Sequence, residues 1–341
     1  MPDNVLKAAE TGRSFRDHYT SADVGLCGAR PFRVCTTHWD ETGHDVWPGD
    51  DPDAPNHPSR FLEMYATNLR HDTCVPLHSH DFHEFVFVRR ADGNLHVTRE
   101  GRSLLRRGDV IVMAPRASHG FDPMAGLMKT DLFLQPQWLS EELRLLWHEG
   151  GLIQTLLAAS LFELPVNEGV WVLHLEEAEI LACEGELDAM RDEARFEQPS
   201  LALFSGCFLK LLSILNRRFV ATSGSASCAF SREIWTVTEA IESVMEKGDT
   251  LDVNRLAQVV SLSRRQLDRV FRAGTGSSVG AYYRNRRIQH AARMLTEPRR
   301  TIQEIAHHLN FSDAAHFVRS FKSKMGATPG EYRGLTRGQQ P

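Results

Sequence analysis

The sequence has no apolar run near the roughly 18 residues that a membrane span requires, so a bilayer is not an expected partner. Its start, MPDNVLKAAETGRSFRDHY, lacks the apolar core of a signal peptide. Cysteine is scarce: Cys27, Cys35, Cys74, Cys183, Cys207 and Cys228 are scattered through 341 residues, with no CxxC pair. That spacing argues against a zinc ribbon and a dense disulfide framework. Together with the polar start it leads to the expectation of a reducing cytoplasm.

What is present is an ordinary globular balance, 42% hydrophobic and 24% charged, on a chain long enough for two or three domains. The net charge of −5 hides an asymmetry. Residues 231–341 hold 18 Lys+Arg against 11 Asp+Glu, whereas the preceding 230 residues hold 21 against 33. A basic last third on an acidic remainder suggests an anionic partner for that third. A solvated basic face is the competing reading.

Texture divides the chain. Residues 1–60, with four prolines and several acids in HWDETGHDVWPGDDPDAPNHPSR, read as an extension without assigned chemistry. Residues 61–137 read as a β domain: FLEMYATNL, HEFVFVRR, NLHVTREG, DVIVMAP and GLMKTDLFLQ are short apolar runs broken at Asp92-Gly93 and Gly108-Asp109. Residues 138–220 read as helical, with apolar residues every three or four positions. The widest stripe, Leu201, Phe204, Phe208, Leu211, Leu212 and Leu215, suits either a core or the seam of a homodimer. ATSGSASCAFS (221–231) reads as a linker, and 232–335 as an all-α domain.

That last domain contains a repeat. LDVNRLAQVVSLSRRQLDRVFRAGTG (251–276) matches TIQEIAHHLNFSDAAHFVRSFKSKMG (301–326), the offset rising from 49 to 50, which places one inserted residue in the second copy's last helix. Each copy predicts a helix, a turn and a second helix. In the first copy Val253, Leu256, Ala257 and Val260 face inward, Leu262 fills the turn, Ser263 caps the next helix, and Leu267, Val270 and Phe271 bury its inner side. Arg264, Arg265, Gln266, Arg269 and Arg272 remain outside. In the second copy Ile302, Ile305, Ala306, Leu309, Phe311, Phe317 and Phe321 repeat the pattern, with Ser312 as the cap. GAYYRNRRIQHAARMLTEP (280–298) reads as one helix between them, stopped at Pro298. A helix with a polar outer face can enter the major groove, where arginine bonds guanine O6 and N7 with both arms. Lys322 and Arg286 are expected to neutralise phosphates.

The repeat, the RRIQHAARML helix, TIQEIAHHLNFSDAAHFVRSFKSKMGATP and the closing PGEYR resemble the AraC/XylS family of bacterial transcription regulators. The resemblance implies that the second helix of each unit reads double-stranded DNA. The candidate contacts are Arg264, Arg265, Gln266, Arg269 and Arg272 from the first unit, and Ala314, Ala315, His316, Arg319 and Lys322 from the second. Asp313, Ala314, Ala315 and His316 stand where family members often place longer polar residues, which assigns most base readout to the first unit. RNA polymerase is a further partner the resemblance implies, for a regulator acting as an activator.

In the β domain, His78, His80 and Glu84 form HxHxxxE, followed by Gly108-Asp109, Pro115 and His119. On a strand, His78 and His80 point to one face. The set resembles the two motifs of a cupin barrel, with Pro115 and His119 one residue closer than in metal-binding cupins. The implied fold is therefore a cupin-like antiparallel β-barrel, then a helical dimerisation segment, then an all-α domain with two helix-turn-helix units. His78, His80, Glu84 and His119 have three open readings: a small-molecule effector site without metal and with no required cofactor, a divalent metal site, or structural polar residues. HSHDFHEFVFV also resembles the sensor domains of rhamnose-responsive activators, so a sugar is the first effector considered. The leading expectation is an effector-controlled, dimeric, DNA-binding regulator and not an enzyme. The alternative is a metal-dependent cupin enzyme with an appended DNA-binding domain.

Overall fold

A computed structural model describes residues 18–19, 32–38, 74–123, 126–162, 169–196, 198–223, 231–296 and 300–336. The chain divides into two compact units: Met1–Leu161 with Pro165–Ala226, and Phe162–Leu164 with Ser227–Pro341.

The described residues of the first unit contain ten strands: β1 His18–Tyr19, β2 Phe32–His38, β3 Val75–His80, β4 His83–Arg90, β5 Leu95–Thr98, β6 Arg102–Leu104, β7 Asp109–Met113, β8 His119–Asp122, β9 Met128–Leu134 and β10 Val170–His174. They form two five-stranded sheets, β1-β3-β8-β5-β6 and β10-β7-β4-β9-β2. Every pairing is antiparallel except β1 with β3. The central strand β4 is buried on both faces from His83 to Val88. That explains why HEFVFV shows a nearly continuous apolar run in place of alternation. Val86 and Val88 join Ile111, Phe121 and Phe133 in an inner core drawn from both sheets. Phe85, on the other face, meets Phe208 edge-on at 5.7 Å between ring centroids.

Two boundaries differ from the sequence reading. The extension 1–60 supplies β1 and β2, and β2 pairs with β9 along seven residues, Phe32 opposite Leu134 through His38 opposite Met128. Its strand signal is short and surrounded by Pro- and acid-rich sequence. The region expected to be helical contains β10, whose VWVLH pairs with β7. Branched Val170 and Val172 favour the extended form over so short a span. The FLEMYATNL segment lies outside the described residues.

Helices α1 Pro136–Glu142, α2 Gly151–Leu161, α3 Glu177–Glu193 and α4 Leu201–Ser223 complete this unit, with a 3₁₀ turn at Arg144–Glu149. Glu176 and Glu179 form a capping box at the start of α3. Helix α4 continues through Ala221–Ser223, so the linker is shorter than expected; residues 224–230 lie outside the described set. Leu211 and Leu215 are 1% and 0% exposed. They are core residues of their own unit and cannot form a dimer seam. The outward side of α4 carries Leu209 and Val220.

In the second unit, α5 Arg232–Lys247 precedes α6 Val253–Val259 and α7 Arg264–Thr275. The long α8 Val279–Thr296 follows, then α9 Ile302–His308, α10 Ala314–Met325 and α11 Pro329–Thr336. Pro298 falls outside the described residues. Phe271 and Phe321, at the centres of α7 and α10, are fully buried.

Leu215→Ala is expected to destabilise the first unit by about 2–5 kcal/mol, the usual range for a large-to-small change in a filled core. Urea denaturation followed by circular dichroism measures it; an unchanged midpoint would contradict the core assignment.

Candidate functional site

The reading helices are placed by their turns. Ser261 and Asn310 both adopt left-handed backbone, with φ of 55° and 56°. In each turn a backbone N–H reaches back across the bend: Leu262 N–H donates to the Ala257 carbonyl, and Phe311 N–H to that of Ala306, both at 2.9 Å. The following helices are then capped differently. Ser263 Oγ accepts from the Gln266 N–H at 3.3 Å, and Gln266 Oε1 accepts from the Ser263 N–H at 2.9 Å. In the second unit the cap is Asp313, not Ser312: its Oδ1 accepts from the His316 N–H at 2.6 Å. The extra residue of the second copy therefore lies in the turn and not in the helix, because α7 and α10 have equal length. Gly276 and Gly326 end them with φ of 75° and 77°, a conformation glycine adopts without steric cost.

This local chemistry leaves one charged face. Arg264, Arg265, Arg269 and Arg272 on α7 are exposed, as are Ala315, His316, Arg319 and Lys322 on α10; Ala314 is half-buried. Gln266 is exposed, but its carbonyl oxygen is held by Ser263. The His316 backbone N–H it caps holds the Asp313 carboxyl below its ordinary range, so a negative charge stands at the start of α10. His316 is steadied by Ser312, whose Oγ lies 3.0 Å from Nδ1, and by Phe311 at 5.5 Å between centroids.

Two neighbouring residues have roles the sequence did not reveal. Arg286, expected at phosphate, is 4% exposed. Its Nε and Nη2 donate to the two Glu242 oxygens at 2.6 and 2.9 Å. His290 Nε2 lies 3.0 Å from the same carboxylate, and Tyr282 donates to it at 3.3 Å. This group ties α5 to α8. Arg287, one position on, lays its guanidinium 3.8 Å from the centre of Phe311 and so braces the second turn. Asn310 braces that turn from the other side, donating from Nδ2 to the carbonyls of Gly248 and Asp249 at 3.0 and 2.9 Å.

In the first unit, β3, β4 and β8 bring His78, His80, Glu84 and His119 together, all buried. His78 sits opposite His119 across the β3–β8 pair. Their ring centroids are 4.3 Å apart. Glu84 Oε2 lies 2.9 Å from His80 Nε2 and 3.3 Å from His119 Nε2. His80 Nδ1 donates to the Phe82 carbonyl at 2.7 Å, and His78 Nδ1 to that of Pro76 at 3.1 Å. The donor atoms of His80, Glu84 and His119 all lie within 4.8 Å of one another. His78 is outside that group, so the four-residue set becomes three candidate ligands with a neighbour.

The same interior holds three groups that sequence reasoning missed. Asp131 and Lys129 on β9 stand opposite Val86 and Val88, and so share the inner face with Glu84. They form a buried ion pair, with the Lys129 ammonium 5.0 Å from the Phe121 ring centre. His96 on β5 lies 6.2 Å from His119 between centroids. Burial pushes the His96 imidazole down to about 3, with the His119 and Lys129 charges adding to the shift. Burial pushes the Asp131 carboxyl up to about 6; Lys129 opposes that shift and Glu84 adds to it. Buried Nε2 of His96 and Oδ1 of Asp131 have no hydrogen-bond partner. The available signal was the KxD alternation inside the otherwise apolar MKTDLFL.

The model of the helix-turn-helix domain family matches residues 256–334. The transcriptional activator RhaR of Pectobacterium carotovorum is 26% identical over 265 residues, covering 76% of this chain and 86% of the relative. The RhaR of Yersinia pseudotuberculosis is 25% identical over 276 residues, covering 81% and 90%. Among solved structures, ToxT of Vibrio cholerae covers 90% of this chain and 100% of its own at 10% identity and a TM-score of 0.40. The DNA-binding domain of AdpA, solved with a target DNA, covers 31% and 96% at 28% identity and a TM-score of 0.28.

Two helix-turn-helix units joined by one helix, in a segment that the helix-turn-helix family model matches, give the second unit the architecture of a DNA-binding domain, and the chain is similar for most of its length to proteins named as transcriptional activators. Within that class the chain is similar over most of its length to the RhaR transcriptional activators. Among the described residues no helix is long and apolar enough to cross a membrane.

Glu242 sets a pH dependence. Burial raises its carboxyl, but the Arg286 charge and the hydrogen bonds of His290 and Arg286 outweigh this and hold it well below the ordinary 4.5. A depressed carboxyl stabilises the fold above its ordinary value and loses that contribution as pH falls below it. Glu242→Gln leaves Arg286 buried without a counter-charge and is expected to cost about 3–5 kcal/mol at pH 7. The gap to wild type should narrow below about pH 4.5, where the unfolded carboxyl takes up a proton. Urea unfolding across pH 3–7 measures both; a pH-independent gap would refute the assignment.

Proposed function

We propose that this protein is an effector-controlled transcriptional activator, in which the second unit reads an operator and the first binds a small molecule. The observation that carries the DNA half is the face of four exposed arginines on α7, presented by a capped helix above a packed turn. The names of the RhaR relatives support the activator role, and contact with RNA polymerase is part of that role. Two sheets that share an inner core, with a polar cluster within it, support a cupin-like reading of the first unit. Histidine, lysine and carboxylate groups there offer both donors and acceptors, which suits a hydroxyl-rich effector such as a sugar. Two copies pair through the outward side of α4, where Leu209 and Val220 are exposed, since Leu211 and Leu215 are not available.

Operator reading is divided unequally. Within the second unit, the first helix-turn-helix offers long donors, and the second helix-turn-helix offers short side chains behind the negative charge of Asp313. Binding-site selection with Arg265→Ala should relax one base position and cost about 1–3 kcal/mol, and His316→Ala should change selectivity less. Lys322→Ala should weaken all sequences alike and flatten the salt dependence. Greater loss of specificity in His316→Ala than in Arg265→Ala would reverse the assignment.

The effector half has its own readout. Lys129→Met should abolish induction of an operator-linked reporter across a panel of pentoses and hexoses while operator binding persists. Full induction in that variant would remove the inner cluster from the effector site.

A further inference from the structure

The imidazole of His316, on the second reading helix, is held in one tautomer by its neighbours. Ser312 has a single hydroxyl proton and two groups within reach of it: Asp313 Oδ2 at 3.2 Å and His316 Nδ1 at 3.0 Å. A carboxylate can only accept, and a bond to an ionised acceptor is the stronger of the two. The proton therefore goes to Asp313. Sending it to the ring would set the serine oxygen and the carboxylate against each other as two acceptors. His316 Nδ1 must then carry its own proton and donate to Ser312 Oγ. In the neutral ring this leaves Nε2 as a lone pair.

The ring is also fixed in place. Asp313 Oδ1 accepts from the His316 backbone N–H at 2.6 Å, so one carboxylate both caps the helix and sets the proton on the ring. Phe311 meets the imidazole edge to face, with centroids 5.5 Å apart and planes at 77°. The Phe311 ring is pinned in turn by the Arg287 guanidinium, 3.8 Å from its centre. Ala314 and Ala315 carry no polar side-chain atoms. In the first turn of α10, His316 is thus the side chain able to hydrogen-bond a base edge.

We propose that His316 Nε2 acts as an acceptor that selects a base with an exocyclic amino group, cytosine through N4 or adenine through N6, with Ser312 and Asp313 as the positioning residues that set its proton. Those amino groups are the donors of the major groove, where guanine and thymine present acceptors instead. This deepens the reading of the second unit as a DNA reader and rests on it. A single bond stands in place of the two that arginine gives guanine, in keeping with the smaller share of readout assigned to the second helix-turn-helix.

The test is binding-site selection by the full-length protein from a random duplex pool, for wild type, His316→Ala and Asp313→Asn. In wild type one position is expected to favour A or C over G or T, and His316→Ala should lose that preference alone. The selected base is then replaced by its analogue without the amino group, purine for adenine or pyrimidin-2-one for cytosine. This should weaken wild type by roughly 2–12-fold, the worth of one hydrogen bond, and leave His316→Ala unchanged. The two analogues also tell which amino group is read. In Asp313→Asn the side-chain carbonyl oxygen keeps the cap, but the amide turns N–H donors toward Ser312. The serine proton then passes to His316 Nδ1, Nε2 becomes a donor, and the preference should move to G or T. Unchanged circular dichroism, and an unchanged preference at the position read by Arg265, show that both variants keep the fold. A G or T preference in wild type that His316→Ala removes overturns the proposal. So does an A or C preference that survives Asp313→Asn, or a selection that His316→Ala leaves unaltered at every position. A wild-type chain that enriches no sequence would instead remove the DNA-reading assignment, and this proposal with it.

Discussion

A carboxylate taken out of water must be given partners, and both units of this protein are organised around that requirement. In the second unit Glu242 is 3% exposed and is answered by Arg286, His290 and Tyr282. Because those partners all project from α8, the carboxylate fixes that helix against α5. Helix α8 also carries Arg287 onto Phe311. A single desolvated charge thereby helps set where the second turn stands. In the first unit Glu84 is answered by two imidazoles from different strands, and Asp131 by Lys129. Breaking such a pair costs more than forming it gains, so these groups specify geometry more than they add stability.

The DNA-reading face follows from satisfying helix ends. Four backbone N–H groups at the start of each reading helix need acceptors, and residues within three positions supply some of them. In the first helix-turn-helix a neutral Ser263–Gln266 pair does so, leaving the arginines as the dominant field. In the second, Asp313 does so and places a negative charge where phosphate would otherwise be welcome. The two helix-turn-helix segments share one backbone plan and differ in a capping residue and the length of four side chains.

The helix-turn-helix repeat was legible because its determinants are local. Apolar spacing, the left-handed turn residue, the cap and the terminal glycine all lie within about two dozen residues, so short-range chemistry fixes them. The pairing of His78 with His80 was legible for the same reason, since strand geometry alone sends both rings to one face. Glu84 and His119 were legible only through the resemblance to the cupin motifs, and the structure brings both close to His80 and His78.

What only tertiary structure decided involves partners far apart in sequence. Arg286 looks like any exposed arginine until Glu242, 44 residues away, is folded beside it. Leu211 and Leu215 have the same periodicity whether they face a second copy or their own core; the packing of α4 in the first unit made them core. Strands β1, β2 and β10 became visible only when β3, β9 and β7 offered edges to pair with, because so few residues carry a weak signal alone. Lys129, Asp131 and His96 joined the interior of the first unit through sheet register, which no local pattern contains. The sequence by itself determined the elements that read DNA, through contacts a few residues long. The fold decided which charged and apolar side chains those elements bury, because burial depends on neighbours that the chain order keeps apart.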